Sequence, residues 1–108
     1  MTIAITGKLS ITAELKIKDT VELNDGLLAI QKFCVDMNSE QGCFLAVAHQ
    51  DNQDPRKVIL WEIYRDQTAF DEHFKAEHTQ AFIKEGLTDL ITAYQTQPMA
   101  TLLTGANQ

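Results

Sequence analysis

The stretch that most constrains the fold is the strand predicted at residues 58–64. Its side chains alternate between two faces, and both faces are largely apolar. A strand that is apolar on both sides has to be covered on both sides, which favours a sheet buried between two layers. The exception is Glu62, a carboxylate that shares a face with Val58, Leu60 and Tyr64.

The surroundings of Glu62 make it a candidate functional group. A carboxylate in a poorly hydrated place must be hydrogen-bonded, charge-paired or protonated. The nearest candidate partners in sequence are His73 and His78 on the following helix. On one continuous helix these two lie about 140° apart, so they converge only if the helix breaks. The candidate break is residues 77–79, with Thr79 capping the second segment. The alternative is a half-exposed Glu62 and two solvated histidines.

The composition limits the class of protein. The chain has 108 residues, 44% hydrophobic and 22% charged, which is typical of one globular domain over residues 1–108 with a core at about 9–103. A net charge of −6 argues against nucleic acid as a partner. No apolar run approaches the roughly 20 residues that span a bilayer, and the first ten residues do not look like a signal peptide. We therefore expect a cytoplasmic protein without a membrane partner.

Two cysteines, Cys34 and Cys43, do not suggest a disulfide framework. Cys34 falls on the apolar side of a predicted helix, and Cys43 follows a glycine at the start of a predicted strand. In a cytoplasmic chain we expect reduced thiols that act as small hydrophobes. A redox pair is the alternative.

The order of predicted elements indicates the fold class. Asp19, followed by Glu22, has the pattern of a helix N-cap, and Gly26 weakens the turns that follow it. Asp66 is a second candidate N-cap. The predicted elements are a strand at 8–18, a helix ending near 38–39, strands at 43–50 and 57–65, a split helix from 66 through Tyr94 to 97–98, and a strand at 99–103. This order is the α+β, ferredoxin-like arrangement, a four-stranded antiparallel sheet with helices on one face.

The second face of that sheet needs a cover. It would carry Ile59, Trp61 and Ile63. A bare apolar sheet of this kind marks a partner surface. We therefore predict a homodimer in which two open sheet faces meet.

The chain resembles the antibiotic biosynthesis monooxygenase family, whose members are small dimeric α/β barrel proteins. The resemblance covers roughly residues 9–103. The residues that carry it are AEL at 13–15, EQGC at 40–43, DP at 54–55, E-x-Y-x-D-x-x-A-F at 62–70, His73, and HT at 78–79.

The resemblance implies a pocket between sheet and helices in which a small phenol or quinol is oxidised by O2 without a cofactor or metal. Glu62, His73 and His78 would be the catalytic residues. His73 would hydrogen-bond Glu62, and one of the histidines would deprotonate the substrate. The alternative for the pair of Glu62 and His73 is a structural tie between strand and helix.

The same resemblance suggests residues that contact the substrate. Tyr64 and Leu15 would face the pocket, and three aromatic side chains, Phe70, Phe74 and Phe82, would form its walls. The alternative for the three phenylalanines is plain core.

Other members of the family differ from this chain. Haem-degrading members have a polar asparagine where this chain has Leu15, and a haem-ligand histidine near Ile83, so haem is not expected. A second hypothesis is an isomerase similar to those that process phosphorylated autoinducer-2, but only Arg56 and Arg65 are available as arginines for a phosphate. A third hypothesis is a non-catalytic stress-response dimer that binds a small molecule.

Overall fold

The computed structural model describes residues 8–99. The elements are β1 (Leu9–Ile17), α1 (Leu23–Asn38), β2 (Cys43–Gln50), β3 (Lys57–Tyr64), α2 (Gln67–Lys75), α3 (Glu77–Glu85) and β4 (Thr88–Thr96). This order confirms the ferredoxin-like α+β prediction. Within the described range, no helix is long and apolar enough to cross a membrane.

The four strands form one sheet in the order β2-β3-β1-β4. All three pairings are antiparallel. The two central strands, β1 and β3, place their inward side chains beneath the helices. On β1 the inward residues Ile11, Ala13, Leu15 and Ile17 are buried, as the period-2 alternation predicts.

The start of α1 corrects the predicted cap at Asp19. The helix begins at Leu23, and the side chain of Glu22 accepts a hydrogen bond from the backbone N–H of Asn24 at 2.7 Å. Asp19 lies in a turn that a distant arginine contacts on both sides. Arg56 Nη1 donates to the carbonyl oxygen of Lys18 at 2.6 Å and to that of Val21 at 2.8 Å. Because the arginine follows a distant loop, the sequence near Asp19 could not reveal this contact.

Gly26 lies in α1 because the helix crosses β1 closely. A Cβ atom at this position would stand 2.6 Å from Cγ2 of Ile17, which is fully buried. The missing side chain therefore allows the close packing of helix and strand, which outweighs the cost of glycine in a helix.

The last third of the chain contains the largest correction. The split helix was expected to continue through Tyr94, but α3 ends at Glu85 and Gly86 takes the left-handed conformation with φ of 63°. Left-handed glycine at this position terminates a helix. The final strand is therefore Thr88–Thr96, and Met99 belongs to no strand. The rest of the strand predicted at 99–103 lies outside the described residues.

A β-bulge explains why β4 looked helical. Its pairing register with β1 shifts between Glu14 and Leu15. Leu15 pairs with Leu90, whereas Ala13 pairs with Ala93, so two inward residues of β4 are three apart instead of two. A spacing of three is also the spacing of a helical face.

The open face of the sheet carries the residues predicted for it. Trp61 is 52% exposed, while Ile59 and Ile63, on the same face of β3, are half-buried. His49 of the neighbouring strand packs against Trp61, with ring centroids 4.3 Å apart. The placement of the three residues on a helix-free face is as predicted.

Candidate functional site

A cavity of about 390 Å³ lies between the sheet and the helices α2 and α3. Its walls are mainly apolar, and two ionisable side chains, Glu62 from β3 and His73 from α2, lie among them. The lining residues are Ile11, Ala13, Leu15, Phe33, Leu60, Glu62, Phe70, His73, Phe74, Thr79, Phe82, Ile83, Thr88, Leu90 and Ala93. Apolar walls with few polar groups are typical of small-molecule sites.

Glu62 is the buried carboxylate of this cavity. Its side chain is 6% exposed, and Oε1 accepts a hydrogen bond from the Tyr64 hydroxyl at 2.6 Å. Burial raises the pKa of Glu62 to about 7, an effect that the Tyr64 hydrogen bond opposes and the charge of Glu40 reinforces. The half-exposed alternative for Glu62 is therefore wrong, and the carboxyl can hold or release a proton near neutral pH.

Tyr64 donates a hydrogen bond to Glu62. It is not among the residues that line the cavity. It is fully buried. Burial, and then the nearby charge of Glu62, raises the pKa of the Tyr64 phenol, so the hydroxyl stays protonated and donates. Both side chains point inward because they lie two residues apart on one strand.

The other expected contact residues, Leu15, Phe70, Phe74 and Phe82, all line the cavity. Leu15 and Phe70 are at the same time buried members of the core, whereas Phe74 is 46% exposed. Core and cavity wall are therefore overlapping roles here. Ile83, a residue at which this chain differs from haem-degrading members, lies in the same wall.

A helix break brings the two histidines together, as expected, although its position differs. The break lies at Ala76, whose backbone is extended with ψ of 143°. Ala76 precedes α3 without any side-chain cap. Thr79 therefore lies inside α3, not at its N-cap, and its hydroxyl oxygen is 3.3 Å from His73 Nδ1.

The partner of both histidines is Glu40, in the turn between α1 and β2. Glu40 Oε2 lies 2.8 Å from His73 Nδ1 and 2.5 Å from His78 Nε2. Because a carboxylate only accepts, both ring nitrogens donate in this arrangement. The three side chains are 13%, 4% and 23% exposed, in the order Glu40, His73, His78. The alternative of two solvated histidines is wrong.

The expected hydrogen bond between Glu62 and His73 is also wrong. Among the described residues, His73 bonds to Glu40 and Thr79, and Glu62 bonds to Tyr64. Glu62 accepts its hydrogen bond from Tyr64, two residues away on the same strand. The Nδ1 edge of His73 faces Glu40 in the α1–β2 turn. Both groups nevertheless line one cavity.

His78 does not line the main cavity. It lies in a neighbouring groove beside α1. Phe33 and Phe82 line both spaces and stack with centroids 4.2 Å apart. Phe33 also packs against His73 and His78, at centroid distances of 5.8 Å and 6.3 Å.

Sequence reasoning missed Glu40 and Phe33 as site residues. Glu40 stood only as the first letter of the EQGC motif, and that motif was the one signal that could have identified it. Phe33, a buried residue of α1, was not singled out. Each contacts histidines more than 30 residues away, and no local pattern encodes such a contact.

Cys34 and Cys43 are free and buried, as expected for reduced thiols. Burial raises the pKa of each thiol to about 11. Neither is therefore a reactive thiolate near neutral pH, which argues against the redox alternative.

Comparison with known proteins gives the family. The model of the family described as antibiotic biosynthesis monooxygenase matches residues 23–85. The uncharacterised protein YjcS of Bacillus subtilis (strain 168) is 35% identical over 80 residues, which are 74% of this chain and 76% of YjcS. Residues 23–85 include the α1–β2 turn with Glu40, β3 with Glu62, and both histidines of the broken helix, whereas β1 and β4, which also line the cavity, lie outside this range.

Solved structures support the same conclusion. A structure of protein YJCS has a TM-score of 0.78 and 30% identity, covering 86% of this chain and all of that one. The crystal structure of a protein called antibiotic biosynthesis monooxygenase has a TM-score of 0.75 at 20% identity, covering 84% and 98% of the two chains, and supports the fold. On the family match and the similarity to YjcS, this chain belongs to the antibiotic biosynthesis monooxygenase family.

Proposed function

We propose that this protein is a cofactor-independent monooxygenase that oxidises a small phenol or quinol with O2. The observation that carries the proposal is that a buried carboxyl, Glu62, and an imidazole, His73, line one mainly apolar cavity, and that burial raises the pKa of Glu62 to about 7. A cavity of about 390 Å³ has the size of known small-molecule sites. Deprotonation in such a space produces an electron-rich anion that is poorly solvated by water.

His73 is the proposed base. Its Nδ1 faces Glu40, which leaves Nε2 as the nitrogen available to the cavity. A carboxylate on Nδ1–H selects the tautomer in which Nε2 can accept a proton, and it stabilises the imidazolium that results. His78 hydrogen-bonds the same Glu40 carboxylate through Nε2. In this proposal it is a positioning residue without substrate contact.

Glu62 is the proposed second proton carrier. With a pKa of about 7, both of its forms are populated near neutral pH, as an acid that also serves as a base requires. Tyr64 fixes the orientation of the carboxyl through the 2.6 Å hydrogen bond. The leucine and phenylalanine side chains of the wall hold the ring of the substrate and exclude water.

The proposed reaction balances without a metal. His73 removes the hydroxyl proton of a quinol, and the anion forms a carbon–oxygen bond to O2. Glu62 delivers a proton to the resulting peroxide. Loss of water breaks the O–O bond, so one oxygen atom remains on the ring as a hydroxyquinone and the other leaves as water. The four electrons that reduce O2 all come from the quinol.

Oxygen uptake by metal-stripped protein, with a panel of reduced quinols and phenols, tests the proposal. We expect uptake above the protein-free blank, and a loss of at least about 100-fold in kcat for Glu62→Gln and for His73→Ala. Glu14→Gln, a carboxylate on the opposite face of the same sheet, and His49→Ala, an exposed histidine, are the matched controls and should retain full activity.

Two results would contradict the proposal. Uptake equal to the blank across the panel removes the quinol reaction. Uptake that survives in both Glu62→Gln and His73→Ala shows that the chemistry occurs elsewhere. A substrate that raises the melting temperature without turnover would instead favour the non-catalytic binding protein.

The arrangement of the arginines disfavours the isomerase hypothesis. Arg56 donates to the carbonyl oxygens of Lys18 and Val21, and Arg65 pairs with Asp66 at 3.2 Å. Neither arginine is a lining residue of the cavity. A phosphorylated substrate would therefore lack an arginine partner there.

The proposed assembly is a homodimer through the open sheet face. Trp61, exposed on that face, and its neighbours Ile59 and Ile63 form an apolar surface of the kind that partners cover. Sedimentation of the wild type and of Trp61→Glu tests this. We expect a dimer that becomes monomeric in the variant. A wild-type monomer at micromolar concentration would refute the assembly.

A further inference from the structure

Three metal-ligating side chains from three different elements converge at the edge of the main cavity, whose wall includes only His73 of the three. Glu40 comes from the α1–β2 turn, His73 from the end of α2, and His78 from the first turn of α3. Their candidate ligand atoms all lie within 4.8 Å of one another. We propose that Glu40, His73 and His78 form a binding site for one divalent transition-metal ion of the zinc class.

The donor set fits this class of ion. Two imidazole nitrogens and one carboxylate oxygen are a common ligand set of zinc, and the same set binds Fe²⁺. Ligands about 2.1 Å from a tetrahedral zinc ion are about 3.4 Å from each other. The present separations, from 2.5 Å for Glu40 to His78 up to at most 4.8 Å, bracket that value. Rotations of the side chains that move each atom by about 1 Å are then sufficient.

The backbone brings these ligands together in a way that a continuous helix could not. With extended geometry at Ala76, the chain turns between the two histidines and allows both to face Glu40. Phe33 packs against both imidazole rings and shields one side of the cluster. His78, 23% exposed, and Glu40, 13% exposed, leave an approach from solvent for the ion and for a water ligand.

The alternative is a purely hydrogen-bonded tie, in which one carboxylate joins two helices to the α1–β2 turn. The two arrangements differ in their protons. In the tie, His73 Nδ1 and His78 Nε2 both carry a hydrogen directed at Glu40. In the metal site both nitrogens bind the ion instead, and each neutral ring carries its hydrogen on its other nitrogen. Saturable binding of the ion therefore distinguishes the metal site from the tie.

The metal site does not depend on the proposed reaction, but it would affect it. A neutral imidazole that binds metal through Nδ1 keeps its proton on Nε2. His73 would then donate into the cavity instead of accepting. An occupied site should therefore suppress the oxidation, which needs His73 as a base.

Calorimetric titration of metal-stripped protein with Zn²⁺, and absorption titration with Co²⁺, test the site. We expect one equivalent of each ion. Glu40→Gln and His78→Ala should each weaken Zn²⁺ at least about tenfold. His49→Ala removes the remaining histidine, which is exposed on the other face, and should bind as the wild type does. A titration with Fe²⁺ under anaerobic conditions is a third measurement, and binding of one equivalent of Fe²⁺ also supports the site.

The proposal is overturned if the wild-type protein shows no saturable binding of Zn²⁺. It is also overturned if both Glu40→Gln and His78→Ala still bind one equivalent of Zn²⁺ with unchanged affinity. If a variant does not fold, paramagnetic NMR shifts of the Co²⁺-loaded wild type decide. Two shifted histidine rings, those of His73 and His78, support the site. A shift of His49 alone refutes it.

Discussion

The burial of Glu62 predicts a pH-dependent stability that one substitution should abolish. The pKa of this carboxyl rises from an ordinary value of 4.5 to about 7 in the fold, because the charged form loses water. The native state therefore binds more protons than the unfolded chain between these values. The sign follows: Glu62 lowers the free energy of unfolding as the pH rises through about 7, and its protonated form is the one that the fold tolerates.

The magnitude follows from the same interval. With pKa values of 4.5 unfolded and about 7 folded, the free energy of unfolding falls by about 2.5 kcal/mol between pH 5 and pH 8 from this group alone. In a domain of this size that corresponds to a fall in melting temperature of about 10–20 °C. Glu62→Gln, which cannot ionise, should lack this component of the pH dependence.

Urea unfolding at pH 5, 6, 7 and 8, followed by Trp61 fluorescence at one fixed protein concentration, measures the effect. The difference between wild type and Glu62→Gln should shift by about 2.5 kcal/mol in favour of the variant across this range. Glu14→Gln, on the opposite face of the sheet, should follow the slope of the wild type. Parallel curves for the wild type and Glu62→Gln would show that the carboxyl is not desolvated in the fold, and would remove the basis for its role as a proton carrier.

Three further predictions concern packing, capping and thiol chemistry. Gly26→Ala should lower the free energy of unfolding by about 1–3 kcal/mol in urea titrations, because the new Cβ meets Ile17 and overpacking outweighs the better helix propensity; a stabilised variant would refute this. Asp66→Ala should lose about 1 kcal/mol, because Asp66 accepts the Ala69 N–H at the start of α2, and unchanged thermal unfolding would contradict it. The buried thiols of Cys34 and Cys43, with pKa values of about 11, should react with a disulfide reagent at pH 7 no faster than the protein unfolds, and fast labelling of the native state would contradict their burial.

The parts of the fold that were predicted correctly rest on local patterns. The alternation of β1 fixes its buried face whatever lies next to it, and the boundaries of β2 follow from turn residues on both sides. The two helix starts show the limit of such patterns. Asp66 caps α2 as its chemistry predicts, whereas Asp19 matches the same rule and is not a cap. At Asp19 the chain instead forms a turn, and the flanking carbonyl oxygens of Lys18 and Val21 accept from the distant Arg56.

In the candidate site, too, local patterns predicted some features correctly and others wrongly. The apolar face of β3 identified Glu62 as a buried carboxylate, and the five-residue interval between the histidines required a break in the helix. The partner was wrong in both cases, because Glu62 bonds to Tyr64 and the histidines bond to Glu40. A hydrogen bond between residues 33 or 38 positions apart leaves no trace in local spacing.

The sequence by itself determined the order of the elements and the inward face of each central strand, because these follow from periodicity and turn chemistry within a few residues. Tertiary structure decided that the residues after Gly86 form a strand, since the bulged strand β4 has a helix-like spacing and takes its register from β1. It also decided which charges meet. Glu40 reaches His73 and His78 because α1, the turn after it and the broken helix pack together, and electrostatic contacts depend on distance in space and not on separation along the chain.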